Sequence, residues 1–135
     1  MTVIDTLRRQ HQEILDLAAE ITAALKSSPP AVEQISALLP SLAGKLSIHL
    51  AMEDNALYPR LLDSKEEKVR QTAAAFIAQM GDLKKVFKDY TKRWNSSLKI
   101  KEQLAEFNRE TQTIFAALAE RIEREDQELY QENAI

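Results

Sequence analysis

Ile48-His-Leu-Ala-Met-Glu-Asp-Asn-Ala-Leu-Tyr-Pro59 is the stretch that decides the fold. It sets an imidazole, His49, and a carboxylate, Glu53, one helical turn apart. The apolar residues upstream lie on the same spacing: Ile35, Leu39, Leu42 and Leu46 lead into His49, Glu53 and Ala56 in steps of three and four. Such steps place side chains on one face of a helix, so the histidine and the carboxylate point where the leucines point, into a core.

Working outward, three more stretches carry the same periodicity. The first holds Ile4, Leu7, His11, Ile14, Ala18, Ile21 and Leu25, and the third holds Val69, Ala73, Phe76, Met80, Leu83, Phe87 and Tyr90. In the fourth, Leu104, Phe107, Thr111, Ile114 or Phe115, Leu118, Arg121 or Ile122, Glu125 and Leu129 permit two neighbouring faces. Turn and capping residues cluster between the stretches, at Lys26 to Pro30, Pro59 to Ser64 and Asn95 to Ser97. Ser64 with Glu67 reads as a capping box, Pro30 suits the first turn of the second helix, and Pro40 should kink that helix or delay its start. Long helices with short connections pack against antiparallel neighbours. The expectation is therefore an all-α, up-down-up-down antiparallel four-helix bundle forming one domain over residues 1–135.

Composition agrees and narrows the function classes. Only 2 Gly and 4 Pro occur among 135 residues, with 44% hydrophobic and 29% charged side chains, as in packed helices. Eighteen basic against 21 acidic side chains leave a net charge of -3, so no global field favours a phosphate backbone or an anionic membrane. The absence of cysteine excludes disulfides, thiolate zinc sites and iron–sulfur clusters. No signal-peptide pattern opens the chain and no apolar run is expected to approach the length needed to span a bilayer, so a soluble, cytoplasmic protein that binds neither nucleic acid nor membrane is expected.

Depth along the bundle follows from a rise of about 1.5 Å per residue, which puts His11 roughly 12 Å above the floor and His49 and Glu53 at roughly 10 to 16 Å. Arg121, Glu125 and Asp126 come out at roughly 8 to 15 Å on the fourth helix, with Phe76 and Met80 somewhat higher on the third. Polar residues of three helices thus converge in one layer. A carboxylate in such a layer needs a cation or several hydrogen bonds. One candidate cation is a metal held by imidazole and carboxylate, a donor set suited to iron or manganese. The other is Arg121, whose guanidinium forms paired bonds to a carboxylate. The chain also repeats itself: Ile48 to Pro59 aligns with Glu120-Arg-Ile-Glu-Arg-Glu-Asp-Gln-Glu-Leu-Tyr-Gln131, and Gln10-His11 with Gln79-Met80. His49 then corresponds to Arg121 and His11 to Met80.

At these residues the chain resembles the hemerythrin-like, or HHE cation-binding, family over essentially its whole length. The resemblance rests on Leu7-Arg-Arg-Gln-His11, on His49 and Glu53 followed by Leu57-Tyr-Pro59, and on Glu125-Asp126 followed by Leu129-Tyr130. Members of that family hold a non-haem di-iron centre that binds or senses oxygen, nitric oxide or iron. The resemblance implies that His11, His49, Glu53 and either Glu125 or Asp126 are ligands of one metal. It also implies that the second metal's histidines are replaced by Phe76, Met80 and Arg121, so a full di-iron centre and reversible oxygen carriage are not expected. The expected function is non-enzymatic binding of at most one iron or manganese, in oxygen, redox or metal sensing. The alternative is a metal-free interaction or regulatory module in which Arg121 replaces the lost metal. Tyr58 and Tyr130 either donate to the carboxylates or pack their rings, and the basic run from Lys84 to Arg93 reads as a solvated face. Trp94 beside it is the one surface residue expected to anchor a protein partner.

Overall fold

The computed structural model describes residues 2–131, and every regular element among them is helical. The α-helices are α1 (Val3–Lys26), α2 (Val32–Met52), α3 (Tyr58–Leu62), α4 (Glu67–Arg93), α5 (Ser97–Glu102) and α6 (Leu104–Arg124). A π-helical turn at Glu53–Leu57 joins α2 to α3, and a second at Glu125–Leu129 follows α6. The expected helical stretches are present, the second and fourth being subdivided.

Local chemistry sets the helix ends. α1 opens with a reciprocal cap not foreseen from the sequence: Thr2 Oγ1 accepts from the Asp5 amide at 3.0 Å, and Asp5 Oδ2 accepts from the Thr2 amide at 3.1 Å. Two N–H groups that a helix start leaves unpaired are thereby satisfied. The box expected at Ser64 and Glu67 does not form. Glu66 is the cap residue of α4, and Ser64 Oγ instead accepts from the Glu66 amide at 3.1 Å, closing a local turn that competes with capping. Pro30 lies outside α2, which starts at Val32 after Ala31. Pro40 neither delays nor ends α2; it sits inside the helix on its exposed face.

The buried stripes follow the predicted periodicity in α1, in α4 and along α6, where Ile114 rather than Phe115 turns fully inward. One departure is informative. In an uninterrupted α-helix Ala56 would follow Glu53 into the core, but the π turn accommodates an extra residue, so Leu57 is fully buried and Ala56 only partly. Along α1, α2 and α6 the polar side chains separate two apolar clusters. Ile4, Leu7, Leu57, Leu61, Phe76 and Leu129 form the smaller one, while Ile14, Ile21, Leu42, Leu46, Leu118 and Ile122 belong to the larger. Each such aliphatic side chain contributes about 1.5–3 kcal/mol on burial, and these layers fix the height of the polar one.

Two expectations are corrected. Trp94 is 2% exposed. Its ring meets Phe107 edge-on at 5.3 Å and its Nε1 donates to Glu110, so it anchors the core and is not a surface hot spot. Arg93 covers the same ring and pairs with Glu110, which closes the residue off from solvent. The run Val32–Leu62 does have the length and hydropathy of a membrane-crossing helix, a test that core helices of soluble proteins also pass. Its few charges are spread thinly, so interruption by serine and glycine hides an apolar average.

Candidate metal centre

Four buried side chains from three parts of the chain meet between the two clusters: His11 from the middle of α1, His49 from the last turn of α2, and the leading residues of the two π turns, Glu53 and Glu125. His11 Nε2 lies 3.1 Å from His49 Nε2 and 2.8 Å from Glu125 Oε1. His49 Nε2 is 3.5 Å from the same Glu125 oxygen and 3.6 Å from Glu53 Oε1. The inner donor atoms of His11, His49 and Glu125 all lie within 4.8 Å of one another.

The outer ring nitrogens explain which atoms face inward. His11 Nδ1 is 2.9 Å from Asp126 Oδ1, and His49 Nδ1 is 2.8 Å from Gln10 Oε1. Both partners offer acceptor oxygens in this geometry, so each Nδ1 donates outward and each Nε2 faces the cluster, as a lone pair where the ring is neutral and as a donor to Glu125 where it is charged. Two lone pairs 3.1 Å apart beside a carboxylate oxygen repel unless a proton or a cation lies among them. Asp126, with a side chain 39% exposed, therefore stands behind His11, while Glu125 stands in front of it.

Charge is distributed unevenly over the layer. Burial, reinforced by the negative charge of Glu125, pushes the Glu53 carboxyl up to about 9, so it is a neutral acid at pH 7 in the absence of a cation. Burial also acts to raise Glu125, but hydrogen bonds from His11 and His49 and the charge of Arg121 outweigh it and hold Glu125 ionised well below the usual carboxylate range. His49 is pushed down by burial, partly offset by its bond to Glu125. Arg121 is 6% exposed and bonds Glu125 Oε2 through Nε at 2.8 Å, with Nη2 donating to the Phe76 carbonyl at 2.9 Å and to the Tyr58 hydroxyl at 3.2 Å. Its guanidinium lies over the Phe76 ring at 4.5 Å. The pairing of Arg121 with a buried carboxylate is thus observed, at Glu125. Among the described residues, two buried polar side-chain atoms have no hydrogen-bond partner, Glu53 Oε1 and Arg121 Nη1.

These features bear on whether a metal fits. An orphaned carboxylate oxygen, two inward lone pairs and an ionised carboxylate at their meeting point supply two nitrogen and at least two oxygen donors, a set suited to iron or manganese. On the other side of the layer Phe76, Met80 and Arg121 offer no lone-pair nitrogen. Sequence reasoning places the five candidate residues at one depth and offers donation to the carboxylates as one of two roles for Tyr130, which is observed, but it misses Gln10. Gln10 is the partner of His49, and the Tyr130 hydroxyl enters the cluster itself, 2.8 Å from Glu53 Oε2. The signals for both were present: Gln10 precedes His11, and Tyr130 closes the repeated Glu-Asp-x-x-Leu-Tyr pattern.

A helical bundle with imidazoles and carboxylates buried at one level has the architecture of a cation-binding helical domain. The chain belongs to the hemerythrin HHE cation-binding domain family, whose profile matches residues 2–132. No curated protein and no solved structure matches it.

Proposed function

We propose that the chain is a non-enzymatic, cytoplasmic cation-binding domain, an up-down-up-down four-helix bundle that holds a single non-haem iron or manganese for oxygen, redox or metal sensing. The observation that carries this reading is the pair of His Nε2 atoms 3.1 Å apart, each forced inward by a partner on its Nδ1. His11, His49, Glu53 and Glu125 are the ligands in this reading, and Asp126 and Gln10 orient the imidazoles from behind, a support that raises ligand basicity and fixes the tautomer. The metal would supply a centre able to change oxidation state or take up a small ligand. Arg121 occupies the place that the family resemblance gives to a histidine of the second metal, and its fixed charge on Glu125 disfavours a second cation there. The test is the metal content of protein made in iron- or manganese-supplemented medium. Wild type should carry one metal per chain, with His11→Ala and His49→Ala nearly empty. Equal, negligible metal in all three would overturn the reading.

One arrangement favours a second reading, a metal-free interaction or regulatory module. Arg121 and ionised Glu125 balance each other and Glu53 is neutral, so the layer is near charge balance without a metal. That reading predicts a Tm indifferent to chelator, whereas a resident metal raises Tm by mass action.

A further inference from the structure

Tyr130 differs in one respect from the other polar residues around the candidate centre. Gln10 and Asp126 touch the outer nitrogens of the two imidazoles, the atoms that face away from a bound cation. The Tyr130 oxygen touches inner atoms: it lies 2.8 Å from Glu53 Oε2, 3.2 Å from Glu125 Oε1, 3.2 Å from His11 Nε2 and 3.4 Å from His49 Nε2. The phenol has one proton, so it can donate to Glu53 or to Glu125 but not to both, and its oxygen can accept only where an imidazole Nε2 carries a proton, so hydrogen bonding does not account for all four approaches at once. Its backbone is held as firmly as its ring. The Tyr130 amide donates to the Glu125 carbonyl at 2.8 Å, its carbonyl accepts from Arg8 at 3.2 Å, and its ring stacks on His11 with centroids 5.1 Å apart.

Resting on the single-metal reading above, we propose that the Tyr130 phenolic oxygen is itself a ligand, completing a two-nitrogen, three-oxygen site with His11, His49, Glu53 and Glu125 that prefers ferric iron. The three oxygens come from two carboxylates and a phenolate, so three negative charges surround a trivalent ion, and hard anionic oxygen donors favour the higher oxidation state. On binding, the protons of the phenol and of Glu53 leave for solvent and the iron takes their place. Tyr58, the repeat counterpart of Tyr130, provides the internal control: its hydroxyl accepts from Arg121 at 3.2 Å and belongs to the half where a guanidinium already supplies the charge.

Purified protein loaded with ferric iron from a weak chelate tests this, with metal content, visible absorption and resonance Raman read on the same samples. Wild type and Tyr58→Phe should bind iron, show a phenolate-to-iron charge-transfer band, and give tyrosinate ring modes when excited within it. Tyr130→Phe should lose band and modes and bind iron more weakly. Iron bound by wild type without tyrosinate modes would overturn the assignment while leaving the single-metal reading intact. No iron bound by wild type would overturn the assignment, and no manganese bound either would overturn the single-metal reading with it. Should Tyr130→Phe fail to fold, the shift of the wild-type modes on ring-deuterated tyrosine decides the matter.

Discussion

The two π-helical turns begin with the same pair, Glu53-Asp54 and Glu125-Asp126, and end on the same pair, Leu57-Tyr58 and Leu129-Tyr130. They nevertheless serve opposite electrostatic settings. Four residues before the first stands His49, which offers a lone pair; four before the second stands Arg121, which offers a fixed cation. Glu53 is accordingly left neutral with an orphan oxygen, while Glu125 is ionised and accepts on both oxygens. The same backbone device, repeated in one chain, delivers a carboxylate to the core twice, and the residue one turn earlier decides whether that carboxylate still needs a cation.

The comparison is broken most severely at Arg121. Arg121→Ala removes the charge partner of Glu125 and the donors to Tyr58 and the Phe76 carbonyl, and should cost about 3–5 kcal/mol in chemical denaturation, the usual loss when one half of a buried pair goes. Next comes the opposite pH behaviour of the two carboxylates in metal-free protein. Glu53 is raised from the ordinary 4.5 to about 9, so between those values the folded state keeps a proton that the unfolded chain releases. The stability it contributes is complete below the ordinary value and is lost as pH rises towards 9, at up to about 1.4 kcal/mol per pH unit. Glu53→Gln should flatten that alkaline loss in denaturation curves taken with chelator. Glu125, whose folded value is depressed, contributes stability above the ordinary range that is lost on acidification, and Glu125→Gln should flatten the acid limb.

Smaller effects sharpen the same contrast. Asp126→Asn weakens the acceptor behind His11 and should lower metal affinity roughly 10- to 100-fold by titration. Asp54→Asn, at the matching position of the first turn but exposed, should leave affinity unchanged and stability within about 0.5 kcal/mol. Tyr58→Phe removes one acceptor from Arg121 and should cost about 1 kcal/mol in the same denaturation assay.

Much of this was legible in the sequence because it depends on period and position. Steps of three and four put His11, His49, Glu53 and Arg121 inward, and helical rise put them at one depth. The bland fate of Trp94 was not legible, since its burial is decided by Phe107 and Glu110, distant neighbours that periodicity on α4 does not see. The capping box at Ser64 failed for a local reason, a side chain that found a nearer amide. The π turns were invisible because a strict α-helical phase was assumed through residues 53–57 and 125–129. That assumption sent Ala56 inward where Leu57 belongs.

That extra residue per turn makes the layer sensitive to counting as well as to chemistry. Each α-helical residue advances the side-chain direction by about 100°, so if the first wide turn closed to an α-helix with no residue removed, everything after it would swing around the axis by about that amount. Tyr58 and Leu61 would leave the core together, and the same closure at 125–129 would carry Tyr130 away from the histidines. Every chemical group would survive such a change and the centre would be lost, because what the two wide turns store is phase.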